Sequence, residues 1–208
     1  MKNPPSKPWL YLITDRKACE PRPLTDLIQG AAEAGVDLIQ IREKDLSARA
    51  LSELVERAVE AVTASATHVL VNDRFDVALA CGAHGVHLTT HSLPPAVVRR
   101  EVGNRLLIGA SAHSLEEVKR AEEGQADFVV CGPVFETPSK RPYGPPLGLD
   151  SFAHIVKQVS IPVLGIGGID LTNFRRVLGA GASGIAAIRL FIEAPSIHDV
   201  VSCVKRGT

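Results

Sequence analysis

The sequence lacks an excess of charge of either sign, since 23 Lys and Arg residues balance 23 Asp and Glu residues. A nucleic-acid or membrane partner that is held by electrostatics requires a charged, usually basic, surface. The balance therefore argues against both partners, and any site for an acidic ligand must be local. The sequence also contains no apolar run that approaches the length of a membrane span.

Paired cysteines and metal-binding spacings are missing as well. The four cysteines, Cys19, Cys81, Cys131 and Cys203, are scattered, without a CxxC pair and without a nearby histidine cluster. The N-terminal residues MKNPPSKPW contain no apolar segment of the kind found in signal peptides. These features predict reduced thiols and a cytoplasmic location. They leave open whether the chain forms a homodimer.

Short apolar runs alternate with amphipathic segments eight times along the chain. Runs that are apolar throughout are typical of parallel strands buried on both faces. The predicted strands are Trp9–Ile13, Leu38–Ile41, His68–Val71, Gly85–Leu88, Arg105–Ile108, Asp127–Val130, Pro162–Gly165 and Gly184–Ile188. Eight such βα units predict an α/β fold, a single-domain (β/α)8 TIM barrel over residues 1–208, with residues 1–8 as a disordered tail. A doubly wound sheet is the alternative, but it requires GxGxxG after the first strand, where the chain has Thr14-Asp15-Arg16.

In such a barrel the active site forms at the carboxyl ends of the strands. Gln40, Arg42 and Lys44 follow the second strand, and alternation directs the three side chains the same way. Two cations and an amide that converge on the barrel mouth are costly unless they meet an anion. The alternative is an exposed loop in which the cations pair with Glu43 and Asp45.

The third strand is followed by Asn72 and Asp73. A carboxylate that faces a basic cluster could hold Mg²⁺ against a pyrophosphate, since Mg²⁺ typically takes only one or two protein carboxylates. The alternative is that Asn72 or Asp73 caps the helix that begins at Phe75. After the fifth strand come Ser111 and His113, and His113 is a candidate acid or base.

A second group of candidates follows the last three strands. The segment after the sixth strand carries two hydroxyls and an ammonium, which suit a phosphate or pyrophosphate. The glycine-rich segment after the seventh strand offers backbone N–H groups to a ligand. The loops after strands seven and eight form the usual phosphate site of this fold. The candidates are Thr137, Ser139, Lys140, Gly167, Gly168, Ile188 and Arg189. Strands two, three and six would build one anion site, and strands seven and eight would build the other. Two anion sites predict a transferase or isomerase that acts on small phosphorylated molecules.

The motifs resemble the thiamine phosphate synthase family and its thiazole tautomerase relatives over residues 11–191. The matching segments are Tyr11-Leu-Ile-Thr-Asp15, Gln40-Ile-Arg-Glu-Lys44, Val71-Asn-Asp-Arg74, Gly85-Val-His-Leu88, Gly109-Ala-Ser-Ala-His113, Gly132-Pro-Val-Phe135, Thr137-Pro-Ser-Lys140 and Gly165-Ile-Gly-Gly-Ile169. The resemblance implies a reaction that joins hydroxymethylpyrimidine pyrophosphate to thiazole phosphate and releases pyrophosphate.

The resemblance also implies a role for each matching residue. Those implied to hold or contact the pyrimidine pyrophosphate are Gln40, Arg42, Lys44, Asn72, Ser111 and Lys140, of which Arg42, Lys44, Ser111 and Lys140 would be catalytic. Asp73 would bind Mg²⁺. Those implied to hold the thiazole phosphate are Thr137, Ser139, Gly167, Gly168, Ile188 and Arg189.

Two positions depart from the pattern that the resemblance implies. Ser92 stands where the synthases have an Asp that is a second metal ligand, and Arg189 stands where a phosphate-binding serine is usual. Both departures favour the tautomerase branch, whose proton carrier would then be His113 or Glu136. Asn72, Asp73 and the Gln40-to-Lys44 set favour the synthase. A non-catalytic barrel that binds thiazole or thiamine phosphate is a further alternative.

Overall fold

The computed structural model of the protein describes residues 7–137 and 145–206. Eight parallel strands form a closed barrel in chain order, and β8 pairs with β1 to complete it. The strands are β1 Trp9–Ile13, β2 Leu38–Ile41, β3 His68–Asn72, β4 Gly85–Leu88, β5 Leu107–Ala112, β6 Phe128–Cys131, β7 Val163–Ile166 and β8 Gly184–Ala187. This architecture confirms the predicted (β/α)8 barrel.

Within the described residues, every strand is followed by a helix that covers the outside of the barrel. These helices are α2 Leu24–Ala34, α3 Ala48–Val62, α4 Phe75–Ala80, α5 Pro95–Val102, α6 Leu115–Glu123, α7 Gly148–Lys157, α8 Phe174–Gly179 and α10 Ile197–Arg206. Two single-turn helices, α1 Arg16–Cys19 and α9 Arg189–Ile192, lie in the loops after β1 and β8. Both therefore stand at the carboxyl ends of strands, where the candidate residues were predicted.

The fifth strand differs most from its prediction. It was predicted at Arg105–Ile108 but extends over Leu107–Ala112, so Ser111 lies within the strand and not in the loop after it. The segment Gly109-Ala-Ser-Ala112 is made of small residues with little preference for strands. Backbone pairing with β4 on one side and β6 on the other overrides that local preference.

Alternate side chains of each strand point into the barrel or out toward the helices. The apolar side chains of the interior form one cluster, which contains Trp9, Tyr11, Ile13, Leu38, Leu70, Phe128, Val130, Leu164, Ile166, Ala186 and Ile188. The outward residues pack against the helices in a second and larger cluster. The cluster reaches the carboxyl ends of β1, β7 and β8 at Ile13, Ile166 and Ile188, whereas Asn72 at the end of β3 adds a polar side chain at the same level.

Carboxylates at the opposite end of the barrel stabilise the beginnings of strands. Asp37 accepts from Leu10 N at 2.8 Å and from Lys205 Nζ at 2.9 Å, which ties the last helix to the first strand. Asp127 in turn accepts from Ile108 N at 2.7 Å and pairs with Arg99 at 2.6 Å. Polar contacts at this end of a TIM barrel serve stability, whereas the chemistry takes place at the other end.

The extent of the domain over residues 1–208 and the disordered tail at residues 1–8 remain predictions, because residues 1–6 lie outside the described part of the chain. A search of the helices in residues 7–137 and 145–206 finds none with the length and apolarity that a membrane span requires.

We expect Gly184→Ala to destabilise the fold by about 1–3 kcal/mol, because the added methyl overpacks the junction between β1 and β8. An ideal Cβ at residue 184 would lie 2.7 Å from Trp9 N and against the Trp9 carbonyl oxygen. The matched control is Gly30→Ala in α2, where a Cβ meets nothing within 4 Å. That change should stabilise the protein by about 0.5–1 kcal/mol, since alanine is the better helix former. Urea unfolding measures both, and equal stability of the two variants would contradict the packing argument.

Candidate active site

The upper part of the barrel interior contains polar residues from neighbouring strands. Gln40 is 1% exposed, and its Nε2 donates to the hydroxyl of Tyr11 at 3.0 Å. Burial raises the pKa of Tyr11, so the phenol is neutral. The Gln40 amide was predicted among the groups at the barrel mouth. In the structure it lies one layer deeper in the barrel interior, where it contacts Tyr11.

A buried carboxylate fixes the backbone that carries Arg42. Glu43 is 6% exposed and accepts from Thr14 Oγ1 at 2.7 Å and from Arg16 Nη1 at 3.1 Å. Thr14 Oγ1 then accepts from Arg42 N at 2.9 Å. This relay from Glu43 through Thr14 to Arg42 joins the ends of β1 and β2.

The carboxylates next to Arg42 are occupied by other cations. Asp45 accepts two hydrogen bonds from Arg16, at 2.5 and 2.7 Å, and pairs with Lys17 at 2.9 Å. The bonds from Arg16 and then from Lys17 hold the pKa of Asp45 far below its usual value. In the described parts of the chain, neither Glu43 nor Asp45 forms an ion pair with Arg42. The alternative in which those carboxylates neutralise Arg42 is therefore wrong.

Arg42 itself is half-buried, and Lys44 is exposed at the rim. No carboxylate of residues 7–137 or 145–206 forms an ion pair with the Arg42 guanidinium. The positive charge of Arg42 nevertheless acts on the barrel interior, because it contributes to the lowered pKa of His87. A partly buried cation without a counterion favours the binding of an anion.

A histidine to which sequence reasoning assigned no role lies at the centre of this group. His87 on β4 is 2% exposed, and its Nε2 lies 2.9 Å from Ser111 Oγ on β5. Burial first, and the charge of Arg42 second, lower the pKa of His87 to about 3, so the ring is neutral. The motif Gly85-Val-His-Leu88 could have revealed it, because alternation turns His87 to the same side as Gly85.

The end of β3 brings two predicted residues to the same mouth. Asn72 is the last residue of β3, and its Oδ1 is buried without a hydrogen-bond partner among the described residues. Asp73 adopts a left-handed backbone conformation with φ of 66°, and its N–H donates to the carbonyl of His87 at 2.8 Å. Helix α4 has Arg74 at its N-cap and no side-chain cap. The alternative role of Asn72 or Asp73 as a helix cap is therefore wrong.

The hydroxyl of Ser92 is engaged in hydrogen bonds within the loop after β4. Its Oγ accepts from Thr89 N at 2.8 Å and lies 3.1 Å from Thr89 Oγ1. No group of three or more His, Cys, Asp or Glu residues that could hold a metal lies within the described ranges. Asp73, which is exposed, is thus the one predicted metal ligand here that carries a charge.

Two other candidates for proton transfer lie outside this group. His113 is exposed, and its Nδ1 lies 3.1 Å from Glu117 Oε2. The same carboxylate oxygen accepts from His113 N at 2.6 Å, while Ser114 caps α6 by accepting from Glu117 N at 3.3 Å. The contacts between His113 and Glu117 therefore form part of the start of α6. Glu136 is exposed in the loop after β6.

The glycine-rich segment after β7 packs directly on the loop after β6. Phe135 N donates to the carbonyl of Gly167 at 3.0 Å. A Cβ at Gly167 would lie 2.5 Å from Pro133 Cβ, and one at Gly168 would lie 2.5 Å from the carbonyl oxygen of Glu136. The two glycines have φ of 96° and 63°, so they are needed for backbone shape and for the close approach of the two loops.

The remaining candidates are placed only in part. Thr137 is half-buried directly after the segment that contacts Gly168, whereas Ser139 and Lys140 lie outside the described residues. Ile188 joins the interior cluster at the end of β8. Arg189 begins α9, with 62% of its side chain exposed, and its Nε lies 3.7 Å from Glu193 Oε1. The loop after β6 contacts the loop after β7 through Phe135 and Gly167, and β8 pairs with β7, so the three loops are neighbours. The second anion site stays a prediction.

Comparisons with known proteins agree with this arrangement. The family model described as thiamine monophosphate synthase matches residues 10–191. A putative thiamine-phosphate synthase of Geobacter sulfurreducens is 44% identical over 186 residues, which are 89% of this chain and 87% of that protein. A thiamine-phosphate synthase of Roseiflexus sp. (strain RS-1) is 42% identical over 89% of this chain and 79% of its own length.

A solved structure gives the same result. A thiamine phosphate pyrophosphorylase from Pyrococcus furiosus superposes with a TM-score of 0.85 at 35% identity, over 95% of this chain and 94% of that one. The family match covers most of the chain, including every described strand from Leu10 onward. The chain belongs to the thiamine monophosphate synthase family.

Proposed function

We propose that this protein is a thiamine-phosphate synthase that joins hydroxymethylpyrimidine pyrophosphate to thiazole phosphate. The C–O bond to the pyrophosphate breaks with its electron pair on the leaving group, and the thiazole nitrogen gives its lone pair to the resulting cationic carbon. The observation that carries the proposal is the partly buried guanidinium of Arg42, which has no carboxylate partner in the described residues and acts on a barrel mouth lined by Asn72 and Ser111. Membership of the family supplies the chemistry.

The reaction requires stabilisation of a highly charged leaving group and no nucleophilic side chain. We assign that stabilisation to Arg42, Lys44 and Lys140, with Ser111 as a neutral donor. Asn72 would contact the pyrimidine or the pyrophosphate, and Gln40 is proposed to help hold the pyrophosphate from its buried position beside Tyr11. The relay from Glu43 through Thr14 supports the assignment, because it holds the Arg42 backbone without neutralising its side chain.

The residues present fit a Mg²⁺ ion that is held mainly by the substrate. Asp73 offers one exposed carboxylate at the end of β3, and Mg²⁺ completes its shell with phosphate oxygens and water. Ser92 is uncharged, and its hydroxyl is already engaged by Thr89. When bound, the ion would neutralise charge that builds up on the departing pyrophosphate.

The second anion site would hold the thiazole phosphate. We assign this role to the residues of the three adjacent loops, Thr137, Ser139, Gly167, Gly168, Ile188 and Arg189. The contact between Phe135 N and the Gly167 carbonyl supports their proximity. Arg189 is exposed and paired only at 3.7 Å, so it could turn to a phosphate and replace the serine that the resemblance implies.

The two relatives compared by sequence bear synthase names, and beyond the residue types at positions 92 and 189 nothing in the comparisons or the described structure favours the tautomerase or the non-catalytic barrel. His113, one of the two candidate proton carriers, is exposed and paired with Glu117. The proposed partners are accordingly small phosphorylated substrates. The cytoplasmic location inferred from cysteine usage stays a prediction.

The proposal predicts formation of thiamine phosphate when the purified protein is mixed with both substrates and Mg²⁺. Arg42→Ala should lower kcat/KM by about 100- to 1,000-fold, because one preorganised charge that faces the leaving group is lost. Chromatography of thiamine phosphate measures the rate, with and without EDTA. The matched control is Arg100→Ala, whose side chain is 73% exposed on α5 and forms its one ion pair within the described residues with Glu101. Equal rates for the two variants would refute the assignment of Arg42, and absence of product with the unaltered protein would refute the function.

Ser92→Asp should lower the Mg²⁺ concentration that gives half-maximal activity, because it adds a carboxylate where the resemblance implies a second ligand. The new side chain can still accept from Thr89 N, so we expect the loop to keep its shape. Ser92→Asn is the control of equal size without charge. A titration of activity against Mg²⁺ distinguishes them, and identical curves for Asp and Asn would place residue 92 away from the metal.

A further inference from the structure

We propose that His87 is a positioning residue: its neutral ring donates to Ser111 and so directs the Ser111 hydroxyl hydrogen toward the pyrophosphate. The inference rests on the proposed function for the identity of the anion. It assigns a role to a residue for which the site described above has none. Three features of the described residues carry it: the register of β4 and β5, the environment of His87 Nδ1 and the partners of Ser111.

The register places the two residues for this contact. His87 lies directly opposite Gly109 in the pairing of β4 with β5, and Ser111 is the next inward residue along β5. A Cβ at residue 109 would lie 2.8 Å from His87 Nδ1 and 2.5 Å from Phe128 Cζ, so only glycine leaves room for the ring. The ring also lies near Tyr11 and Phe128, with centroids 5.6 and 6.2 Å away. Packing therefore fixes the ring so that Nε2 meets the serine.

The environment of Nδ1 selects the tautomer. A neutral imidazole carries its hydrogen on one nitrogen and accepts with the other. Nδ1 is buried and has no hydrogen-bond partner in the described part of the chain, and it faces the hydrogens of the Gly109 Cα. An N–H there would be an orphaned buried donor, which is rarer in proteins than an unsatisfied acceptor. The hydrogen therefore belongs on Nε2, which has a partner in Ser111 Oγ at 2.9 Å, and a hydrogen on Nδ1 would have none among the described residues.

The tautomer then decides which way Ser111 acts. Because Nε2–H donates, the Ser111 oxygen is the acceptor across the 2.9 Å contact, and its own hydrogen is left for another group. No second hydrogen bond of this hydroxyl is formed within residues 7–137 and 145–206. With the opposite tautomer Ser111 would donate to the ring and present a lone pair to the anion. The tautomer with its hydrogen on Nε2 instead presents a donor, and a donor bonded to an anionic oxygen is the stronger kind of hydrogen bond.

The test compares His87→Met with His87→Gln in the unaltered protein and in the Ser111→Ala protein. Both replacements are unbranched and similar in length, but only glutamine offers an N–H at the end of the side chain. His87→Met should lower kcat/KM by about 10- to 100-fold, as expected for loss of one hydrogen bond to a charged group. His87→Gln should recover most of that loss. In the Ser111→Ala protein neither replacement should reduce activity further, because the hydroxyl that His87 directs is absent.

Two outcomes would overturn the proposal. The first is an equal loss with methionine and glutamine, which would make His87 a packing residue. The second is that His87→Met lowers kcat/KM by the same factor in the Ser111→Ala protein as in the unaltered protein. That result would show that the histidine does not act through the serine. Thermal melting of each variant identifies losses that come from unfolding.

Binding of inorganic pyrophosphate separates failure of this proposal from failure of the proposed function. The increase in Tm that pyrophosphate causes needs no turnover. If it falls with His87→Met and recovers with His87→Gln, the positioning role holds even for a protein that forms no thiamine phosphate. If synthesis occurs but neither pyrophosphate binding nor rate depends on the N–H at residue 87, the function holds and the positioning role is refuted.

Discussion

Register in the closed barrel is the constraint on which the rest of the structure depends. Side chains alternate between the interior and the helices, so fixing one pair of opposite residues fixes the direction of every other. Asn72 lies opposite His87, and His87 lies opposite Gly109. These pairings bring polar side chains from three strands to one end of the interior. A shift of one residue would bury their polar groups against the helices, where few partners could satisfy them.

Arg42 forms no ion pair with the described residues because of how the neighbouring charges are distributed. Glu43 and Asp45 lie within three residues of it, yet Arg16 contacts both of them. That arrangement uses the carboxylates to hold the ends of β1 and β2 together. It also leaves a partly buried guanidinium whose desolvation cost is recovered only when an anion binds. Arg16 thus serves stability, and Arg42, which lies close to it in the fold, is left for the proposed binding of an anion.

The sequence predicted much of the barrel, because runs that are apolar throughout indicate strands covered on both faces. It missed the true extent of β5, since the small residues Gly109 to Ala112 have low strand propensity and are held by pairing with both neighbours. It also gave no sign that the packing of two loops requires Gly167 and Gly168, whose predicted role at a phosphate stays a prediction. The contact of His87 with Ser111 joins residues 24 positions apart, and only the register of the folded barrel reveals it.

The metal site proposed on a single carboxylate and the donor set proposed for the pyrophosphate are consistent with each other. Each carboxylate near a pyrophosphate repels it unless a metal lies between them, and each neutral or cationic donor attracts it directly. Asp73 is the one charged metal ligand predicted here within the described residues, whereas Arg42 and Ser111 face the same mouth without a competing anion. More of the leaving-group charge must then fall on side-chain donors than in a site with two carboxylates. The direction of the Ser111 hydroxyl, which His87 controls, matters more for the same reason.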